Sequence, residues 1–272
     1  SAASDVYKRQ AYRAPGAPIG SFAAETLIDE LAEKIGIDPL DLRIMNGAKQ
    51  GTTRASGLSN PVIGCIETFQ ATKDHDHYKS AKTTKKTGRG VASGFWINGS
   101  GAACAVANVN FDGTVNLTIG SMDIGGLRPV AAQHVAEVLG IPVENINPQV
   151  GDSDTIGYTS MTGGSGGAFK TGWASYEAAQ DVKRQMLERA AEVWETSLDD
   201  IKLENGFFIH SSDSELKMSF SELASHLPDT GGPVVGRANL DPRGPGSAFA
   251  THLVDLEAVS YTHLTLPTNR EV

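Results

Sequence analysis

The sequence predicts an α+β fold, with mixed and antiparallel strands packed by helices, and three observations carry that reading. Apolar residues recur at strand spacing in a consecutive run from Gly90 to Gly120. Helical spacing dominates from Phe22 to Ile35 and again from Gly172 to Trp194. Strands and helices do not alternate strictly, which argues against a doubly wound parallel sheet. With 272 residues, 40% of them hydrophobic, the chain can bury the core of one large domain or two modest ones.

Taken in order, residues 1–10 and 260–272 continue no periodicity of their neighbours, and we expect them to be non-native ends. The folded piece is then 11–259, with room for a sub-boundary near residues 47–88. A Pro/Gly turn at Ala11–Pro18 feeds a helix. Phe22, Ala24, Leu27, Ile28, Leu31, Ala32 and Ile35 fall on its apolar face, and Glu25, Asp29, Glu30 and Glu33 fall toward solvent. Gly36 ends it. Asp38-Pro39 is an N-cap followed by a proline at the first helical position, for a short helix to about Met45. Residues 47–86 read as loop with one helix from Val62 to Ala71.

Strands follow at Gly90–Asn98, Ala102–Asn110 and Thr114–Gly120, the last two joined by a hairpin signal at Phe111-Asp112-Gly113. Pro129–Leu139 reads as a helix and Asn145–Val150 as a strand. The longest helix, Gly172–Trp194, places Trp173, Tyr176, Ala179, Val182, Met186, Ala190 and Val193 on one core stripe. Leu198–Ser212 forms strands around Asn205-Gly206. A short helix at Ser219–Leu227 is capped by Ser219 or Ser221. Residues 228–247 read as loop, and Ala248–Val259 as a strand.

The net charge of −9 argues against nucleic acid, whose phosphates need clustered Lys and Arg. The Lys82–Lys86 run is short and reads as a solvated turn. Cys65 and Cys104 are the only cysteines, too few to ligate an iron–sulfur cluster or a structural zinc. No apolar run reaches membrane-spanning length and no signal-peptide pattern opens the chain, so a cytoplasmic protein is expected, with the periplasm as the alternative. His75-Asp76-His77 lacks a third ligand at helical spacing and reads as a polar turn, so no metal-ligating residue is assigned.

Two glycine-dense turns bracket one apolar helix: Gly120-Ser121-Met122-Asp123-Ile124-Gly125-Gly126 and Thr162-Gly163-Gly164-Ser165-Gly166-Gly167. Bare backbone of this kind can approach an anion, and a helix start behind it adds a favourable dipole end. Ordinary loops of a β-rich domain are the equal alternative from glycine content alone. No P-loop and no dinucleotide fingerprint is present. Asp152 and Asp154 form a turn in the simpler reading and could serve a phosphate-binding enzyme of unrelated fold in another.

Ala11–Pro18, Ile35–Arg43 with Asn46, Gly120–Gly126, Gln133 with Ala136–Gly140, Gly151–Asp154 and Thr162–Ser165 together resemble the xanthine dehydrogenase and aldehyde oxidase family, in its large, molybdenum-cofactor-binding subunit. The resemblance implies part of that subunit's molybdopterin-binding domain. It also implies a molybdenum–pterin cofactor (molybdopterin, in the cytosine dinucleotide form) held by backbone amides. The implied cofactor-binding residues are Arg13, Ala14, Gly125, Gly126, Gly163, Gly164, Ser165 and Gly167. The implied reaction is oxidative hydroxylation of an aldehyde or N-heteroaromatic carbon, with water as oxygen source. Electrons would pass to 2Fe–2S clusters and FAD on an iron–sulfur subunit and a flavin subunit, or on further parts of the chain.

The sequence departs from the family in two places. No Gln stands between Gly125 and Gly126, where Arg128 lies nearby instead. Ser165 is followed by Gly166 rather than Arg, leaving Lys170 as the candidate replacement cation. No catalytic residue is assigned, because the family's general-base Glu is expected downstream in a Gly-x-Gly-Glu segment that nothing here matches. The chain alone is therefore expected to be inactive. A non-catalytic scaffold that kept the fold and lost the metal site is the alternative.

Overall fold

A computed structural model of the chain describes residues 14, 16–81, 87–97, 99–242 and 247–258. Its first elements are α1 (Ala17–Ile35), α2 (Pro39–Asn46), α3 (Cys65–Asp74), α4 (Asp76–Lys79) and β1 (Thr87–Ile97). Then come β2 (Ala103–Val109), β3 (Val115–Ile119), α5 (Leu127–Leu139), β4 (Ile146–Val150) and α6 (Gly167–Val193). The last are β5 (Ile201–Glu204), β6 (Phe207–His210), β7 (Lys217–Ser219), α7 (Phe220–Ser225), β8 (Val235–Leu240) and β9 (Ser247–Glu257). The mixture of helices with open sheets is the α+β fold expected. The chain divides into two compact units, one up to Trp96 together with the residues from Gly246 onward, the other Ile97–Pro245.

In the first unit β1 pairs with β9, and Leu40, Cys65, Phe69 and Val91 form a small core. Asp38 caps α2 as expected, its Oδ1 accepting from the Leu40 and Asp41 amides. The helix expected at 62–71 lies three residues later. The face expected of α1 is kept only in part: Ala32 is buried and Ile28 half-buried. Phe22, Leu27, Leu31 and Ile35 are exposed, and Glu25 turns inward. The reason is Arg43, which is buried and needs counter-charge. Its Nη2 lies 2.8 Å from Glu25 Oε2 and its Nη1 lies 2.8 Å from Asp29 Oδ1. The same Glu25 carboxylate accepts from the amide and hydroxyl of Ser93.

His75-Asp76-His77 begins α4. His75 Nδ1 accepts from the His77 amide, and His77 Nε2 lies 3.0 Å from Asp255 Oδ2. The Lys82–Lys86 run lies outside the described residues.

The second unit is built on a four-stranded sheet in the order β4-β3-β2-β8. The expected hairpin joins β2 and β3, with Ala105 opposite Ile119 and Val109 opposite Val115. Asp112 Oδ1 closes it by accepting from both the amide and the hydroxyl of Thr114. β4 adds parallel to β3 after the α5 crossover. Val115, Leu117, Ile119, Val135, Leu139, Val182 and Met186 are fully buried in one core with α5 and α6.

β8 was not expected, since its stretch reads as Pro/Gly-rich loop. It pairs antiparallel with β2, a partner more than a hundred residues away. A Cβ on its Gly236 would lie 2.1 Å from the Ala178 carbonyl oxygen of α6, so the bare backbone there lets helix and sheet close up. β5, β6 and β7 form a separate small sheet, turning at Asn205-Gly206 as expected. Ser219 and Glu222 form a reciprocal capping box at the start of α7.

α6 starts at Gly167, five residues before the expected Gly172, and its stripe is rotated at the top. Ala179, Val182, Met186 and Ala190 are buried, but Trp173 and Tyr176 are exposed. Steps of three residues drift by about 60° each around a helix, so Trp173 stands roughly 120° from Ala179. The buried face instead runs up through Ala178, Ser175, Ala174 and Thr171 to Lys170.

Candidate functional site

The two glycine loops of the second unit lead into α5 and α6, and those two helix starts adjoin. A Cβ on Gly167 would sit 3.8 Å from a methyl of Leu127, the first residue of α5. Thr162 Oγ1 donates across to the Met122 carbonyl at 3.3 Å. Beneath, the buried hydroxyls of Ser121 and Thr171 meet at 2.6 Å. Packing of α5 on α6 thus brings together the loops that the sequence separates by some forty residues.

The first loop is held by its own carboxylate. Asp123 Oδ1 accepts from the Gly125 amide at 2.9 Å and the Leu127 amide at 3.0 Å, and Oδ2 accepts from Arg128 Nε at 2.8 Å. The Arg128 guanidinium and these amides hold the Asp123 pKa down to about 2. Gly125 and Gly126 have φ of 114° and 86°, and a Cβ on either would meet nothing within 4 Å. The backbone there faces open space, and Gly126 provides no side-chain cap to α5.

The second loop is held from elsewhere. Gly99 donates its amide to the Gly164 carbonyl at 2.7 Å, and Gly166 donates to Gly163. A Cβ on Gly166 would lie 2.8 Å from the Gly99 carbonyl, so backbone meets backbone there. Gly163, Gly164 and Ser165 are exposed, and Gly166 likewise leaves the first turn of α6 without a side-chain cap. Orphan amides at the start of α6, adjoining the open backbone of Gly125 and Gly126 and beside loops with no unpaired carboxylate, form a cradle suited to a polyanion. Met122, Ile124, Tyr158 and Met161 are exposed apolar side chains on these same segments.

The structure therefore brings Gly125, Gly126, Gly163, Gly164, Ser165 and Gly167 into one place. Ser165 has φ 59°, a left-handed conformation that costs a serine energy and that functional loops often hold. Ala14, in the first unit, is likewise left-handed at φ 50°. Arg13 lies outside the described residues.

Lys170 is not the replacement cation facing a phosphate. It is buried, and its Nζ donates to the Ser160 carbonyl, the Ser160 hydroxyl and the Met161 carbonyl. Asp152 forms the expected turn, Oδ1 accepting from the Asp154 amide. Sequence reasoning missed Gly99, Ser160 and the Ser121–Thr171 pair. The Gly99-Ser100-Gly101 run was a usable signal for the first; nothing local marks the others.

Comparison with known proteins gives the family. Family models described as "Molybdopterin cofactor-binding domain" match residues 65–260 and 2–47. The chain is 28% identical to the xanthine dehydrogenase molybdenum-binding subunit of Escherichia coli O157:H7, over 90% of this chain and 35% of that protein. It is 32% identical to an aldehyde oxidoreductase molybdenum-binding subunit of Escherichia coli, over 74% of this chain and 29% of the relative. The chain thus spans about a third of the length of the curated relatives it matches. In fold it resembles a reconstituted CO dehydrogenase from Oligotropha carboxidovorans, with a TM-score of 0.73 and 21% identity over 89% of this chain and 35% of that one. From the family match over residues 65–260, the chain belongs to the molybdopterin cofactor-binding domain family, together with the molybdenum-binding subunits of xanthine dehydrogenases and aldehyde oxidoreductases.

Proposed function

We propose that the two glycine loops hold the anionic part of a molybdenum–pterin cofactor, in its cytosine dinucleotide form, within a molybdenum hydroxylase. The observation that carries this is the uncapped start of α6, adjoining the open backbone of Gly125 and Gly126 ahead of α5. Amides at Gly126, Gly164, Ser165 and Gly167 would donate to the bound group, and Arg128 would add a cation at the rim. Asp123 is ion-paired with Arg128, which offsets its repulsion of an anion. When bound, the group would supply the oxidising centre for hydroxylation of an aldehyde or N-heteroaromatic carbon with water as oxygen source.

Electrons would leave to 2Fe–2S and FAD groups on an iron–sulfur subunit and a flavin subunit, because Cys65 and Cys104 are both buried and cannot ligate a cluster by themselves. Two free thiols also suit a reducing, cytoplasmic setting. Among the described residues no helix is long and apolar enough to cross a membrane. The chain alone, without the general-base Glu expected of the family, would turn over no aldehyde or N-heterocycle; turnover above blank refutes that part.

The test of binding is to purify the chain from a host that makes the cofactor, oxidise it and read pterin fluorescence. Pterin and released CMP are expected with the native chain and lost in Gly126→Val and Gly164→Val. A pterin-free native chain, or variants that keep it, sinks the reading. The missing Gln beside Gly125 and the missing Arg after Ser165 favour a second reading, a scaffold that lost the metal site. Pterin bound without molybdenum would support that one.

A further inference from the structure

Lys170 lies in the first turns of α6, 1% exposed, and no carboxylate among the described residues neutralises it. Burying an ammonium without a counter-ion is costly, so stability alone would favour an apolar residue here. Its three donors meet three acceptors: the Ser160 carbonyl at 2.6 Å, the Ser160 hydroxyl at 2.6 Å and the Met161 carbonyl at 2.9 Å. Burial pushes its pKa down, but Ser160 Oγ gives its own proton to the Ala102 carbonyl, so all three partners accept from Nζ, and only the ammonium has three donors to offer.

The gripped peptide is tied onward as well. The Ser160 amide and hydroxyl both donate to the Ala102 carbonyl, and Thr162, the next residue after Met161, donates to Met122 in the first glycine loop. One buried charge thus connects the start of α6, the approach to the second loop and the flank of the first.

We propose that Lys170 is a positioning residue for the glycine cradle, its buried ammonium clamping the Ser160–Met161 peptide and so setting the two loops for a pyrophosphate-type anion. The inference rests on the proposed cofactor-binding role of those loops. It predicts that the loop amides lose their alignment when the clamp is removed, although Lys170 itself does not touch the ligand.

The experiment titrates inorganic pyrophosphate into the full chain by calorimetry and follows hydrogen exchange by mass spectrometry in parallel. Lys170→Met is expected to weaken pyrophosphate binding by about tenfold or more and to speed exchange over residues 158–167, with β2 and β3 still protected. Lys170→Arg should restore part of both, Ser160→Ala should lose less than Lys170→Met, and the exposed Lys202→Met should change neither.

Affinity and loop exchange both unchanged in Lys170→Met overturn the clamp. So does an equal loss in Lys202→Met, which would mean a general charge effect. If Lys170→Met does not fold, unchanged binding in both Lys170→Arg and Ser160→Ala overturns it instead. A native chain that fails to bind pyrophosphate defeats the cradle reading. The exchange arm then judges the clamp by itself: unchanged exchange over 158–167 overturns it, and faster exchange confined there supports it.

Discussion

The two glycine loops reach the same end by opposite routes. The first is held by a side chain within it: Asp123 takes the amides two and four residues ahead and the guanidinium of Arg128. The second has no carboxylate of its own, and its one bonding side chain, Thr162, reaches out to the Met122 carbonyl of the first loop. Gly99, more than sixty residues before it, donates to the Gly164 carbonyl, and Lys170, just behind it in α6, grips the Ser160–Met161 peptide that leads into it. A locally held loop forms with its own segment, whereas a remotely held loop exists only once the core has assembled.

The sharpest way to break that contrast is Gly166→Ala. Its Cβ would lie 2.8 Å from Gly99 backbone that cannot swing aside, and we expect a loss of roughly 2–3 kcal/mol in urea unfolding. Gly125→Ala meets open space, and only its positive φ is penalised, so about 1–2 kcal/mol is expected by the same measurement. Equal losses at the two sites would mean that the second loop has freedom to move away from Gly99.

Ser121→Ala leaves the buried Thr171 hydroxyl without its 2.6 Å partner and should cost about 1 kcal/mol, with both loops exchanging faster because the pair underlies both.

The smallest effect separates the loops by pH. The folded pKa of Asp123 is held at about 2, below the ordinary carboxylate value, so its contribution is full above about pH 4 and is lost as pH falls through 2. Amide exchange at Gly125 and Leu127, corrected for its intrinsic pH dependence, should rise at the acid end of that window. The Gly99 and Gly166 amides, which bond only to backbone, should show no such step. Arg128→Met should shift the Asp123 titration upward with little change in melting temperature.

Much of the fold could be read locally. Asp38-Pro39, the Phe111-Asp112-Gly113 hairpin, the Asn205-Gly206 turn and the Ser219 cap all appear where their short-range chemistry places them. The misses share one cause. α1 shows Phe22, Leu27, Leu31 and Ile35 of its apolar stripe to solvent because buried Arg43 claims Glu25 and Asp29. β8 exists because β2 offers a ladder and Gly236 lets α6 close over it. In each case a partner remote in sequence outweighed the local pattern.

The site divides in the same way. Glycine-rich turns followed by helix starts are a property of the chain order, and they determined by themselves where bare backbone could meet an anion. The approach of one loop to the other, the Gly99 contact and the burial of Lys170 beneath Ser160 and Met161 were decided only by tertiary packing. The buried Lys170 charge is tolerable only where folded carbonyls replace its water, and no run of sequence around Lys170 states where those carbonyls will be.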